Sequence, residues 1–353
     1  MIISNVLSKR SFETWPSYHL VYEWEEDISI YLSIPIVDSY NENEVFINSI
    51  YRKIFFNRYS KKFLKGNEDL LLQNIKGFLD LSKKRKLSLK LSKTKSLVFE
   101  LYNGDYMAYT SAKNIIPIII DFWKDTNLEV FYKVYKNCDI VLISSLEVFN
   151  YLKEKNCPIN IIHYPLSLSD RYKLDENINY SKVYDILLAG RKNDALWSYL
   201  QEFSLKYPET EFLYQESLNG ELYYKSNKKG LVGKFHSRQD YVNLLRASKI
   251  AFYSTPGIDG GEKRTGGFNP VTPRFLELLS AKCLLLGRYP DNDETRFFEV
   301  DKVCPNISSY SQFEEILLRY LNQSNVPINS YKDILEKHYT SCRAKQLVEI
   351  IEK

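Results

Sequence analysis

One stretch limits the fold more than any other: KIAFYSTPGIDGGEKRTGGFNPVTPRFLELLSAKCLLLGRYPDNDETRFFEV, residues 249–299. Ile250 to Tyr253 is an apolar run suited to a buried strand. A loop follows with Gly257, Gly260, Gly261, Gly266 and Gly267 inside eleven residues. The next helix is expected to open at Thr272-Pro273, because Thr is a good N-cap and Pro suits the first helical position. Phe275, Leu278 and Leu279 then keep the i, i+3, i+4 spacing of a buried helical face. A second short apolar strand, Cys283 to Leu286, comes at once. The order describes a βαβ unit whose loop meets a helix N-terminus, where backbone N–H groups favour phosphate. Arg274 and Glu277 lie three apart on the helix flank away from the expected core. They read either as a cation and a carboxylate for a phosphorylated, hydroxyl-bearing ligand, or as a solvated ion pair worth a few tenths of a kcal/mol.

The rest of the second half repeats the alternation. YDILLAG (184–190) runs into a loop with Arg191, Lys192 and Asn193; Asp194 is expected to cap a helix to about Tyr207; 211–216 and 230–235 read as strands. Ser237 with Asp240 makes a capping box for a helix over 238–247. A helix near 293–299, a strand at Lys302–Cys304, a helix over 311–322 and a helical tail over 330–351 complete it. In the first half, 96–100, 116–120, 139–143 and 160–163 are short β-branched runs of the kind found in buried parallel strands, with helices over 128–137 and 146–154 between them. A chain of 353 residues exceeds the roughly 250–300 at which a single core stops growing, so two domains are expected. The polar tract after Tyr164-Pro165 puts their boundary near residue 170. Repeated strand-then-helix order implies doubly wound sheets.

Composition excludes several classes. The longest apolar run, Ile115 to Ile120, falls far short of the ~20 residues that span a bilayer. No signal-peptide core is evident at the start, and five scattered cysteines without CxxC spacing argue against disulfide staples and a zinc site. Cys138 and Cys283 border strands and read as small core residues. A cytoplasmic protein is expected. Residues 51–95 hold 14 Lys and Arg against three acidic residues, so this stretch is net +11 while the whole chain is only +4. Its basic and apolar residues interleave. It reads as a face for peripheral contact with anionic membrane, with a solvated basic face as the plain alternative; no nucleic-acid motif accompanies it.

Residues 230–299 resemble the donor half of a bacterial GT-B glycosyltransferase of the group 1, family 4-like kind. The segments YSTPG and RTGGFNPVTPRFLELL look closest to transferases of surface-polysaccharide assembly, such as capsule. The resemblance implies an α/β chain of GT-B fold, two Rossmann-like doubly wound domains facing across a cleft. Residues 1–170 would bind the acceptor and 171–353 a nucleotide-sugar donor, with the last helix packing back on the first domain. In the family a Glu of the helix after the glycine loop holds ribose, which here is Glu277; the acidic residue eight positions earlier is replaced by Asn269. Gly190-Arg191 resembles the family's Gly-Arg turn at the donor diphosphate. The family's Lys about five positions on is missing, with Lys192 as substitute. Thr265, Gly266, Gly267, Thr272 and Arg274 complete the expected donor set. The implied partners are a nucleotide sugar and a glycan or lipid-linked acceptor, with no cofactor and no metal. Departure of Asn269 from the pattern leaves retention or inversion open. A GT-B sugar-nucleotide epimerase or a non-catalytic GT-B partner subunit would have the same outline.

Catalytic chemistry is expected at carboxyl ends of first-domain strands. Asp121 ends IPIII beside Phe122-Trp123, where apolar surroundings raise a carboxyl pKa, and is the candidate base. Glu23, Glu25 and Glu26 read as a solvated helix face or an acceptor site. Asp291-Asn292-Asp293 superficially fits a metal motif and is better read as a cap, by Asp291, for the following helix. His19, His163, His236 and His338 share no ligand spacing.

Overall fold

The computed structural model describes residues 2–10, 16–38, 95–102, 115–218, 221–234, 237–323 and 325–352. The basic stretch 51–94 lies outside them. Two six-stranded sheets follow one another along the chain. The first holds β1 (Ile3–Ser8), β2 (Ile36–Asp38), β3 (Lys95–Tyr102), β4 (Ile115–Asp121), β5 (Val141–Ile143) and β6 (Ile161–His163) in the order β2-β1-β3-β4-β5-β6. Every pairing in it is parallel. α1 (Pro16–Leu32), α2 (Leu128–Tyr135) and α3 (Leu146–Glu154) are its described connecting helices.

The second sheet holds β7 (Tyr184–Leu188), β8 (Phe212–Leu218), β9 (Glu221–Ser226), β10 (Gly230–Gly233), β11 (Ser248–Ser254) and β12 (Leu284–Arg288), in the order β10-β9-β8-β7-β11-β12. β7, β8, β11 and β12 run parallel, and β9 and β10 extend the edge as an antiparallel meander. Its helices are α4 (Asp194–Lys206), α5 (Arg238–Ala247), α6 (Glu262–Thr265), α7 (Arg274–Ser280), α8 (Asp293–Phe297), α9 (Tyr310–Asn322), α10 (Ile328–Leu335) and α11 (Thr340–Glu352).

Side chains alternate across each strand, so each sheet feeds two cores. Leu97, Phe99, Ile116 and Ile118 pack on one face of the first sheet with Trp24 and Ile28 of α1, while Ile119, Val141 and Ile143 pack on the other with α2 and α3. In the second sheet Leu187, Ala251 and Leu285 face α7 and α10; Ile186, Ile250 and Leu284 face α4 and α9. Ala344, Leu347 and Ile351 of α11 join the α1 side of the first sheet, so the chain's last helix belongs to the core of its first sheet. Arg343 ties this return by donating from Nε to the Pro165 carbonyl at 2.9 Å.

Several local expectations are corrected. Lys302–Cys304 is no strand: Val300–Lys302 is a 3-10 turn after Glu299, which sits at φ 54°. The α4 cap is Asn193, not Asp194, and the α8 cap is Asn292, not Asp291. In both cases a neutral amide accepts the third helical N–H, while the neighbouring acids serve elsewhere; Asp291 and Asp293 both pair with Arg296. Thr272 does not cap α7: Pro273 holds the cap position without a side-chain bond, and the Thr272 N–H donates to the Tyr253 hydroxyl at 3.3 Å. The 330–351 helix is two, broken around His338. The Ser237–Asp240 capping box is present. Glu23 and Glu25 are buried rather than solvated. No helix among the described residues is long and apolar enough to cross a membrane.

Candidate functional site

In the second sheet the connections leave β7 toward β8 on one side and arrive at β11 on the other. Crevices at such a reversal, outside the carboxyl ends of the strands, are where open α/β sheets take ligands. A small hollow lies there, lined by Leu188, Ala189, Arg191, Asn193, Leu196, Phe252, Ser254 and Arg274. Gly190 turns the chain at φ 88°, and its missing side chain is where the Arg274 guanidinium lies. A Cβ there would stand 2.4 Å from Arg274 Nη2. The Gly-Arg turn and the α7 arginine are thereby locked together as one cationic surface.

The glycine loop covers this end of the sheet and is held rigidly. Asp259, at φ 48°, receives both arms of Arg288 at 2.7 and 2.8 Å, and Asn193 Nδ2 at 2.9 Å. Asn269 is buried and spends its amide within the loop: Oδ1 accepts from Thr255 Oγ1 (2.7 Å) and Gly257 N–H (3.1 Å), and Nδ2 donates to the Gly267 carbonyl (2.9 Å). Thr265 Oγ1 accepts the Gly267 N–H at 3.2 Å. These residues shape the loop.

The loop also reaches the first sheet. The Lys124 N–H donates to the Thr265 carbonyl at 3.2 Å, and Gly266 (φ 64°) abuts Lys124 Cβ, contact that any side chain at 266 would block. Phe268 inserts into the first-sheet core beside Phe122 and Tyr151, and burying such a side chain stabilises by about 1.5–3 kcal/mol. Asn269 N–H donates to Glu147 Oε2 at 2.6 Å. Glu294, buried in α8, accepts Ser145 Oγ (3.0 Å) and the Leu146 and Glu147 N–H groups (2.5 and 3.2 Å) at the N-terminus of α3, and Val271 N–H (3.3 Å) on the other oxygen. Burial pushes its carboxyl up to about 7 against the pull of these donors.

Asp121 closes β4 at its carboxyl end. Burial raises its carboxyl to about 6, and the charges of Arg264 and Arg191 draw it part of the way back. Arg264 in turn lies over the Trp123 ring, 5.7 Å from its centroid. Arg191 and Arg274 line the hollow, and the charge of Arg191 also reaches Asp121, while Thr265 and Gly266 contact Lys124, three residues beyond that carboxylate.

Of the expected donor residues only Arg191 and Arg274 line this hollow; Thr265, Gly266, Gly267, Asn269 and Thr272 lie in the chain between β11 and α7, and Lys192 and Glu277 stand elsewhere. Lys192 is pinned over the rings of Trp197 and Tyr214, with Nζ 4.0 and 4.3 Å from their centroids, and does not line the hollow. Burial there lowers its pKa. Glu277, 7% exposed, lines a second small hollow with Tyr172 and Arg246. Its Oε1 accepts from Arg238 Nη2. Ser254, Arg264, Arg238 and Glu294 escaped the sequence reading. The hydrogen-bond partners of Arg238 and Glu294 are 23 to 215 positions away, and only the fold brings them together.

No protein-family model matches this chain, and no curated protein matches it in sequence. Solved structures do. A Listeria monocytogenes protein assigned as a UDP-N-acetylglucosamine 2-epimerase is similar at 13% identity and a TM-score of 0.52, over 100% of this chain and 96% of that one. The UDP-GlcNAc 2-epimerase of Methanocaldococcus jannaschii, solved with UDP-GlcNAc and UDP, is similar at 12% identity and TM-score 0.47, over 100% and 99%. The pneumococcal O-GlcNAc transferase GtfA, solved with UDP and GlcNAc, is similar at 14% and 0.48, over 78% of this chain. This chain spans 59% of the length of that transferase and of the chain matched in the GtfA/B complex. The fold is GT-B.

Proposed function

We propose that this chain is a glycosyltransferase that moves a sugar from a nucleotide-diphosphate donor to a glycan or lipid-linked glycan acceptor of bacterial surface polysaccharide. The observation that carries the reading is the pairing of two arginines, Arg191 and Arg274, at the reversal of the second sheet with a carboxylate, Asp121, from the first. A diphosphate needs cations and N–H donors that are already in place when charge builds on the leaving oxygen. Arg274 is such a donor, because the Gly190 turn fixes its guanidinium. Ribose would lie one helical turn along α7, about 5 Å on, toward Glu277. Asp121 would take the proton of the attacking hydroxyl; a carboxyl poised near neutrality suits that task.

A second reading has its own support. The Listeria protein matches from end to end, and an epimerase of UDP-sugars would use the same donor pocket with no acceptor. The internal commitment of Asn269 also suits a partner subunit without catalysis. Thermal-shift screening against nucleotide sugars, followed by turnover with and without a glycan acceptor, separates the three. Acceptor-dependent release of nucleoside diphosphate supports transfer. Acceptor-independent conversion of the sugar establishes the epimerase. Nucleotide binding without turnover leaves the partner subunit, and failure of all nucleotides to bind removes the proposal.

A further inference from the structure

We infer that Arg238 is a positioning residue that orients Glu277 for the donor and couples donor occupancy to helix α1 of the first domain. The inference rests on the donor-site reading above. Arg238 opens α5, directly after the Ser237 cap. Its Nη2 donates to Glu277 Oε1, and its Nε donates to Glu23 Oε2 at 3.3 Å. The other oxygen of Glu23 accepts the Tyr172 hydroxyl, in the segment joining the two sheets. The guanidinium carbon stands 5.3 Å from the Tyr241 ring centroid and 5.8 Å from that of Tyr172, so its position is set on several sides. The side chains of Glu23, Glu277 and Arg238 are only 7%, 6% and 17% exposed.

A single buried cation thus serves one carboxylate from each domain. Breaking such a pair leaves a buried charge uncompensated, which is why the three groups must move together. The bond to Glu277 uses Oε1 and leaves Oε2 to accept a ligand hydroxyl. On the far side, Glu23 shares α1 with Glu25, which accepts from Ser8 Oγ (2.6 Å) and Arg10 Nη2 (3.2 Å) at the carboxyl end of β1. Glu26, next along, pairs with Arg10 and Arg171. The acidic row of α1 therefore joins Glu277, the linker and the strand end where an acceptor would enter. A ligand that draws on Glu277 changes the pull on Arg238, and Glu23 transmits the change to α1.

The test is a double-mutant cycle on the full chain, with uridine diphosphate titrated calorimetrically as the probe. Glu23→Gln, which touches no part of the proposed donor pocket, should weaken binding about fivefold or more, the lower end of ordinary coupling between sites. In an Arg238→Ala background the same change should have no effect. Tyr172→Phe, which removes only the hydroxyl, is the second variant should Glu23→Gln fold poorly, and it should show the same dependence. Unchanged affinity in Glu23→Gln and Tyr172→Phe, with affinity lost in Glu277→Ala, overturns the relay and leaves the donor site standing. Equal weakening in both backgrounds also overturns it, since a merely structural effect does not depend on Arg238. Affinity unchanged in Glu277→Ala, or absent in the native chain, removes the donor-site reading and the relay with it.

Discussion

Gly190→Ala is the most searching substitution for the proposed diphosphate pocket. An alanine at φ 88° costs about 1–2 kcal/mol in backbone strain. Its Cβ would also lie 2.4, 2.6 and 2.8 Å from Nη2, Cζ and Nη1 of Arg274. No carbon tolerates three such contacts, so the guanidinium must leave the turn. A hydrogen bond to a charged group contributes about 1.5–3 kcal/mol, so losing Arg274 from a diphosphate should weaken it about tenfold to a hundredfold. The strain alone should lower Tm by a few degrees, at about 2–4 °C per kcal/mol for a domain of this size. The assay is calorimetric titration of nucleoside diphosphates into native protein, Gly190→Ala, Arg274→Ala and the double variant. The double variant should bind no more weakly than Arg274→Ala alone, because the glycine acts through the arginine. Native affinity in Gly190→Ala would refute the reasoning, as would additive losses in the pair.

Further outcomes follow from the same geometry. Asp121→Asn should abolish transfer while leaving nucleotide affinity within about twofold, since a general base acts in the chemical step. In the native protein the rate should climb with pH and level off above about 6, because only ionised Asp121 accepts a proton; a profile flat from pH 5 to 8 speaks against this base. Asn269→Ala removes a buried amide that bonds three loop groups and should cost about 1–3 kcal/mol by chemical denaturation, with faster amide exchange over 255–268; unchanged exchange would contradict its role as a loop strut. Burial lifts Glu294 to about 7, above its unfolded value, so the folded chain holds a proton there that the unfolded chain has lost between about pH 4.5 and 7. Native stability should therefore gain on Glu294→Gln as pH falls across that window and lose on it as pH rises; a difference constant with pH would show the carboxylate to be charged throughout.

Much of the second sheet was legible because its signals are local. The apolar run at Ile250, the glycines and the helix stripe of Phe275, Leu278 and Leu279 fall within one βαβ unit, and the Ser237–Asp240 box spans a single turn. The doubly wound sheets followed from repeating that unit, and the GT-B outline from the resemblance carried by residues 230–299. Errors came where a rival residue sat one position away: Asn292 over Asp291, and Asn193 over Asp194. Strands over 211–216 and 230–235 were read, but β9 (ELYYKS) carries no clean apolar alternation, so the antiparallel edge it makes between β8 and β10 was not. In the site, a Gly-Arg turn and an arginine on α7 were readable as types. That Gly190 exists to admit Arg274 was not, since 84 residues separate them and only the sheet order joins them. Glu23 was read as a solvated face or an acceptor site, and Glu147 and Glu294 drew no reading, because burial of a carboxylate is decided by its distant partner.

The most direct measurement is a crystal structure of the chain with a nucleoside diphosphate bound. The account requires the diphosphate within hydrogen-bond distance of Arg191 and Arg274 at the ends of β7 and β11, with ribose hydroxyls on Glu277. A nucleotide lodged elsewhere, with both arginines untouched, would contradict it.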